Sequence, residues 1–308
     1  MTRIFIVVTL LAMILICPLT AQTKLDFGLT PKIDGTFSTF LQGNLDFGTR
    51  FYTRLRLEYV TVEVVEEGQG TNLSTIQQTK NQTFSIGWAV LGVDLINRDF
   101  RMGLALSAEY IYLGSDEQLT YTADPGYEII PGYSSLVLSS DRVLNVLLPT
   151  LDLRIRYSKA GFWTDWFGEY APVLFVGMNQ LVDSTPIYPG FNEDGPVSHN
   201  GTYLSYHSFS AKGELGHQNN VLSVSLGGEF TRLPIKYETI TLGGIQEIDS
   251  IIYELKFNGD VILSFLSLWR MSPLISVEFS RSWSEIYGMS SDITFHNRWS
   301  FYFGVSAR

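Results

Sequence analysis

Between Leu45 and Val64 the sequence alternates over 20 residues. Leu45, Phe47, Phe51, Leu55, Leu57 and Tyr59 share one parity; Asp46, Arg50, Arg54, Arg56 and Glu58 share the other. Side chains leave a strand on opposite sides in turn, so the segment is expected to be a β-strand with an oily face and a row of charges. Two environments satisfy such a strand. A soluble sandwich buries the oily face and wets the other. A transmembrane barrel turns the oily face to lipid and the polar face to its lumen. Sandwich strands commonly run about 5–6 residues, far short of this stretch. An arginine on a lipid-facing wall costs roughly 2–4 kcal/mol at the midplane, so Arg50, Arg54 and Arg56 are expected to point inward.

The same alternation recurs along the chain. In 100–113, Phe100, Leu104, Leu106 and Tyr110 oppose Arg101 and Glu109. In 147–157, Leu151, Leu153 and Ile155 oppose Asp152, Arg154 and Arg156. In 221–231, Leu222, Val224 and Phe230 oppose Ser225 and Glu229. In 251–265, Ile251, Tyr253 and Phe257 oppose Glu254, Lys256 and Asp260. In 295–305, Trp299, Phe301 and Phe303 oppose His296 and Arg298. Less regular strands fit 82–96, 162–181, 201–216 and 273–286. Aromatics such as Tyr59, Tyr110, Tyr157, Trp163, Trp283 and Trp299 gather near strand ends, where interfacial girdles form.

Short links near 97–99, 158–161, 216–220 and 267–272 alternate with long polar ones at 66–81, 114–142, 183–200, 239–249 and 287–293. This rhythm predicts an all-β fold: an antiparallel up-and-down transmembrane β-barrel of about 10–12 strands, with short periplasmic turns and long extracellular loops. Segment 22–44 is expected to be an N-terminal strand or a lumen or periplasmic segment. If it adds one strand, an even count takes its last strand from 114–142.

Arg3, the apolar run Ile4–Ile16 and Leu19-Thr20-Ala21 read as a signal peptide over residues 1–21, with a single barrel domain over 22–308. The run falls short of the roughly 20 apolar residues that span a bilayer. Cys17 is the only cysteine, so disulfides and thiol chemistry are excluded from the exported chain. No basic tract suggests a nucleic-acid partner, and no cofactor is expected.

On these strands the chain resembles bacterial outer-membrane β-barrel proteins. Its last strand, RWSFYFGVSAR, resembles the aromatic-rich closing strand such proteins present to the barrel-assembly machinery, apart from the terminal Arg308. The resemblance implies an outer-membrane location, a lipid annulus and that machinery as a partner during biogenesis.

The inward row supplies the candidate lumen chemistry. Its cations are Arg50, Arg54, Arg56, Arg101, Arg154, Arg156, Lys256 and Arg298; its anions are Asp46, Glu58, Glu109, Asp152, Glu229, Glu254 and Asp260. Opposed charges across a narrow passage select small solutes, so the expected function is a small porin-like channel for passive passage of small polar solutes. The alternative is a filled, non-conducting scaffold or adhesin that presents loops 114–142 and 183–200 to an extracellular ligand. An outer-membrane hydrolase is the remote alternative. Of His199, His207, His217 and His296, only His207 has a serine, Ser205, at same-face spacing, so no enzyme activity is expected. The acid pairs Asp116-Glu117 and Glu193-Asp194 lack a metal-ligand frame. A closed barrel predicts that the unheated protein migrates differently from the boiled protein on gel electrophoresis; a single mobility under both conditions would count against closure.

Overall fold

Lipid offers no partner to a free sheet edge, so a membrane sheet must return to its own first strand. In the computed structural model this chain does so. The structure describes residues 22–29, 36–47, 51–97, 99–187, 195–219, 221–241, 244–266, 271–286 and 295–307. Its strands are β1 (Gln22–Leu29), β2 (Thr36–Phe47), β3 (Phe51–Gly70), β4 (Leu73–Asn97), β5 (Phe100–Ala123) and β6 (Ser135–Lys159). They continue as β7 (Phe162–Thr185), β8 (Val197–Gln218), β9 (Ser223–Thr241), β10 (Gly244–Ile262), β11 (Met271–Ile286) and β12 (Phe295–Ala307). Each pairs antiparallel with its neighbours in sequence, and β12 pairs with β1 from Leu29↔Phe303 to Leu25↔Ala307. The ring of 12 strands is closed.

The strand count corrects two expectations. The alternation from Leu45 to Val64 is not one strand, because β2 ends at Phe47 and β3 begins at Phe51. The register pairs Phe47 with Phe51. An even residue separation preserves parity, so a period-two pattern continues from one strand into the next. Likewise 22–44 supplies β1 and most of β2, and the last strands needed for an even count come from there rather than from 114–142. That long segment instead lengthens β5 to Ala123 and β6 back to Ser135, joined by a turn-rich connection. The 66–81 link behaves the same way, as β3 and β4 pair up to Gly70↔Leu73.

The wall has the expected two faces. Leu106 is 69% exposed on the outside, whereas Val146 on the inside is 0% exposed. Cross-strand aromatic pairs run along the outer surface: Phe209 to Phe230 at 5.7 Å, Phe230 to Tyr253 at 6.3 Å, and Tyr253 stacked on Trp283 at 5.3 Å between ring centres. Such pairs add to sheet stability beyond their burial. Bulges between Ala89 and Leu91 and between Leu147 and Leu151 shift the register and keep the inward row inward on both sides of them.

One departure from the plain barrel shapes the interior. β8 and β9 are laddered only from Phe209↔Arg232 down to Gln218↔Ser223. Above Arg232, β9 stays paired with β10 as far as Thr241↔Gly244. This hairpin leaves the β8 ladder and packs on the inner faces of β6 and β7. Leu233 and Ile235 join Leu144, Val146, Leu174 and Val176 in one buried apolar cluster. Pro234 and Ile251, on the hairpin's other face, are buried too. Polar side chains replace the missing ladder. The Lys236 amide donates to Ser205 Oγ at 2.9 Å, and Ser208 Oγ donates to the Arg232 carbonyl at 2.9 Å. Gln180 of β7 then acts as a strand surrogate: its Oε1 accepts from the Ile240 amide at 2.8 Å, and its Nε2 donates to the Ile240 carbonyl at 3.5 Å. The outer half of the lumen is therefore a packed apolar layer.

A charge in that layer has no water and no partner, which costs several kcal/mol. Val176→Asp is expected to lower the urea midpoint of unfolding sharply, while a conservative Val176→Ile leaves it near wild type.

Candidate functional site

Below the apolar layer the lumen is ionic, and the alternation that built the strands puts the charges there. On the β5–β7 side, Arg156 pairs with Asp165 in register and Arg154 sits one inward step further along β6. Asp165 accepts from both. Arg154 Nε and Nη2 donate to Oδ1 and Oδ2 at 3.2 and 3.0 Å, and Arg156 Nε donates to Oδ2 at 3.0 Å. Arg54, from β3, crosses the lumen to Glu169 and to Asp152, the latter at 3.3 Å. Asp152 also accepts from Ser107 and from Thr150, the latter at 3.0 Å.

Rings hold these guanidinium groups flat. Arg54 lies 4.5 Å from the Phe167 ring centre, and Arg154 lies 5.2 Å from Phe167 and 4.8 Å from Tyr52. Cations over aromatic faces are favoured, more so where water is scarce. The Tyr52 ring, 2% exposed, fits only because Gly92 and Gly103 lie beside it. A side-chain carbon at Gly92 would overlap the ring, and one at Gly103 would come within 3.0 Å of it. The alternating stack of Tyr52, Arg154, Phe167 and Arg54 blocks the lower lumen on this side.

A second network spans β3 and β9–β12. Arg56 Nη1 donates to Glu229 at 2.8 Å and Nη2 to Glu58 at 3.3 Å. Lys256 reaches Glu58 at 3.3 Å and Glu254 at 3.4 Å. Arg298 lies 3.5 Å from Glu278 and 4.0 Å from Glu58. Glu58 thus serves three cations. Arg101, at the lower rim, faces Asp94 at 3.9 Å. Asp260 accepts from Asn258 at 3.0 Å.

Between the ionic floor and the apolar layer is a cavity of 230 Å³. Arg56, Glu109, Glu169, Glu229 and Lys256 line its polar side, and Ile111, Leu113, Leu148, Leu233 and Ile252 line its apolar side. A smaller cavity of 60 Å³ lies toward β10–β12, beside Lys212 and Asp260.

Of the residues singled out by sequence, Arg54, Arg56, Glu58, Glu109, Asp152, Arg154, Glu229, Glu254, Lys256 and Arg298 line the cavity or belong to these networks. Arg50 and the side chains of Asp46 and His296 lie outside the described residues. Asp165, Phe167, Glu169 and Glu278 carry as much of the geometry and were not singled out. They sit in the less regular stretches; in 162–170 aromatics occupy both parities, which hides the inward row.

Ser205 and His207 do not share a face. His207 takes a left-handed backbone conformation, with φ 65°. That conformation turns its ring outside, where Nδ1 lies 2.7 Å from Tyr170 Oη. Ser205 stays inside, against the hairpin. The β7–β8 register runs through this point without a shift, so β7 changes parity in step: Ala171 and Leu174 are both buried inward, opposite Ser208 and Ser205. Lys212 follows Ser208 inward, so both parities of β8 serve the lumen in turn.

No family model and no curated protein matches the chain. Among solved structures, it is similar to the outer membrane protease OmpT from Escherichia coli, with 11% identity and a TM-score of 0.44 over 94% of this chain and 98% of that one. It is also similar to the translocator domain of the autotransporter NalP from Neisseria meningitidis, with 13% identity and a TM-score of 0.46 over 94% and 87% of the two chains. The β domain of the Bordetella autotransporter BrkA gives 12% identity and a TM-score of 0.35 over 92% and 97%. One of the three is a protease and two are autotransporter domains. The fold assignment rests on this chain's own closed ladder, and the likenesses assign it no activity.

Asp165 is the shared partner of two guanidinium groups, and Arg154 is almost fully buried. Removing one member of a buried ion pair costs about 3–5 kcal/mol. Asp165→Asn is expected to lower the temperature at which the folded gel band is lost, with Asp165→Glu intermediate.

Proposed function

We propose that this protein lies in the bacterial outer membrane, with Phe51, Leu106 and their equivalents against lipid, and works as a small channel that is shut at rest. The observation that carries this reading is the β9–β10 hairpin. It is the one stretch of wall, among the described residues, that leaves a neighbouring strand to fill the lumen, and it sits directly above the 230 Å³ cavity with its charged side. A permanently open porin has no need of a packed apolar layer across its passage. A barrel filled for stability alone has no need to break its own ladder to achieve it. Interrupted pairing stitched by side chains is the kind of contact that opens locally at modest cost, and apolar constrictions gate by excluding water.

The second reading, a non-conducting scaffold, is favoured by the height of the wall. β4 and β6 have 25 residues each, whereas about 9–11 cross a bilayer, so the strands raise their connecting loops well clear of the lipid. The two readings part on conductance.

Gln180→Ala removes the contacts that tether Ile240, each worth about 0.5–1.5 kcal/mol. In planar bilayers the wild type is expected to be closed with rare openings, and Gln180→Ala to raise the open fraction about tenfold. Silence of both proteins across salts and voltages, with folding confirmed by gel mobility, would leave the scaffold.

A further inference from the structure

Glu109 stands at a boundary. Its register partner on β6 is Leu148, the next inward residues above it are Ile111 and Leu113, and the ionic floor lies beneath. Five carboxylates line the 230 Å³ cavity, and the other four each have a cation. Glu58 has Arg56, Lys256 and Arg298; Glu169 has Arg54; Glu229 has Arg56; Glu254 has Lys256. Among the described residues Glu109 makes neither a hydrogen bond nor an ion pair. It is a carboxyl group in a half-apolar chamber whose cationic neighbours, Arg56 and Arg54, lie beyond ion-pair distance and are bonded to Glu229, Glu169 and Asp152, which is a costly arrangement for a charge unless a closer cation supplies what they do not.

The cavity also extends to the wall itself. Phe209 both lines the cavity and is 41% exposed on the outer wall. It lies at the point where the β8–β9 ladder stops. Beside it, Ser208 and Ser210 carry hydroxyls into the cavity.

We infer that this chamber binds a small organic ammonium ion, with Glu109 as its counter-ion and its hydrocarbon part against Ile111, Leu113, Leu148 and Ile252. The volume is below the roughly 300–1,000 Å³ of pockets for drug-sized ligands, which limits the hydrocarbon to a short alkyl chain or one ring. The floor cations Arg56 and Lys256 are bonded to carboxylates, and Arg298 is ion-paired with Glu278 and Glu58, so their charges are offset and repel a monovalent amine only weakly. A charge-assisted contact in such surroundings is about twice as strong as a neutral one. The inference goes beyond the gated-channel reading and stands if the protein never conducts.

The test uses the folded full-length barrel in detergent, with three probes of matched shape: cyclohexylammonium, cyclohexanol and cyclohexanecarboxylate. Calorimetric titration is expected to show saturable binding of the ammonium, at least tenfold tighter than the alcohol, and none of the carboxylate. Glu109→Gln is expected to reduce ammonium affinity tenfold or more and leave the alcohol unchanged. Ile252→Trp, which fills the apolar side, is expected to weaken both. Absence of saturable ammonium binding by the wild type overturns the inference without any variant, as does equal affinity for the carboxylate. Unchanged ammonium affinity in a folded Glu109→Gln protein overturns the role of Glu109. Conductance is measured separately, so a silent barrel that binds the amine refutes only the channel.

Discussion

The rest of the structure depends on the hydrogen bonds between β1 and β12. A twelve-strand sheet with open edges would carry two rows of unpaired backbone groups, and in lipid each unpaired group costs several kcal/mol. Closing the ring removes both edges at once. Closure also decides what the side chains can be, because every strand then has one face toward hydrocarbon and one toward a confined interior. The alternation of Phe51, Leu55 and Leu57 with Tyr52, Arg54 and Arg56 is the sequence's answer to that geometry.

Confinement makes the inward row solve a second problem. Charges near the axis of a narrow barrel are partly desolvated, so an opposite charge within reach offsets the cost. Arg54 finds Glu169 and Asp152; Arg56 finds Glu229; Glu58 collects Lys256 from β10 and Arg298 from β12. These contacts tie together strands that share no ladder, so they act as spokes inside the ring. The apolar layer above them acts differently. It ties the β9–β10 hairpin to β6 and β7 by shape and by water exclusion, with Gln180 as its polar clasp.

Much of this was legible in the sequence, and the gaps have physical causes. Period-two alternation identified the strands and their faces wherever one parity was consistently charged, as at Arg154 and Arg156. It missed the break between Phe47 and Phe51 because parity survives an even step. It misread Ser205 and His207 because the left-handed backbone at His207 breaks the alternation, and every side chain beyond it changes sides. It passed over Asp165 and Glu169 because Trp166 and Phe167 make both faces look oily, although Phe167 is there to stack on arginines. The long polar links looked like loops, since strands that stand in water on both faces lose the oily row that marks them within lipid. The inward fold of the hairpin has no local signature at all. It is decided by Val146, Leu174 and Val176, which are far away in the chain and offer the dry surface on which Leu233 and Ile235 pack.

The height of β4 and β6 has a consequence for traffic. At about 3.3 Å per residue and roughly 40° of tilt, a strand of 25 residues rises on the order of 60 Å, about twice the hydrocarbon thickness of ~30 Å. The excess stands clear of the bilayer, but not all round the ring: among the described residues β1, β2 and β12 run to 8, 12 and 13 residues. The rim is therefore lopsided, a high parapet over β4–β7 that falls away toward the seam where β12 meets β1. Anything that lands on the membrane surface beside this barrel meets a cliff on one side and a step on the other.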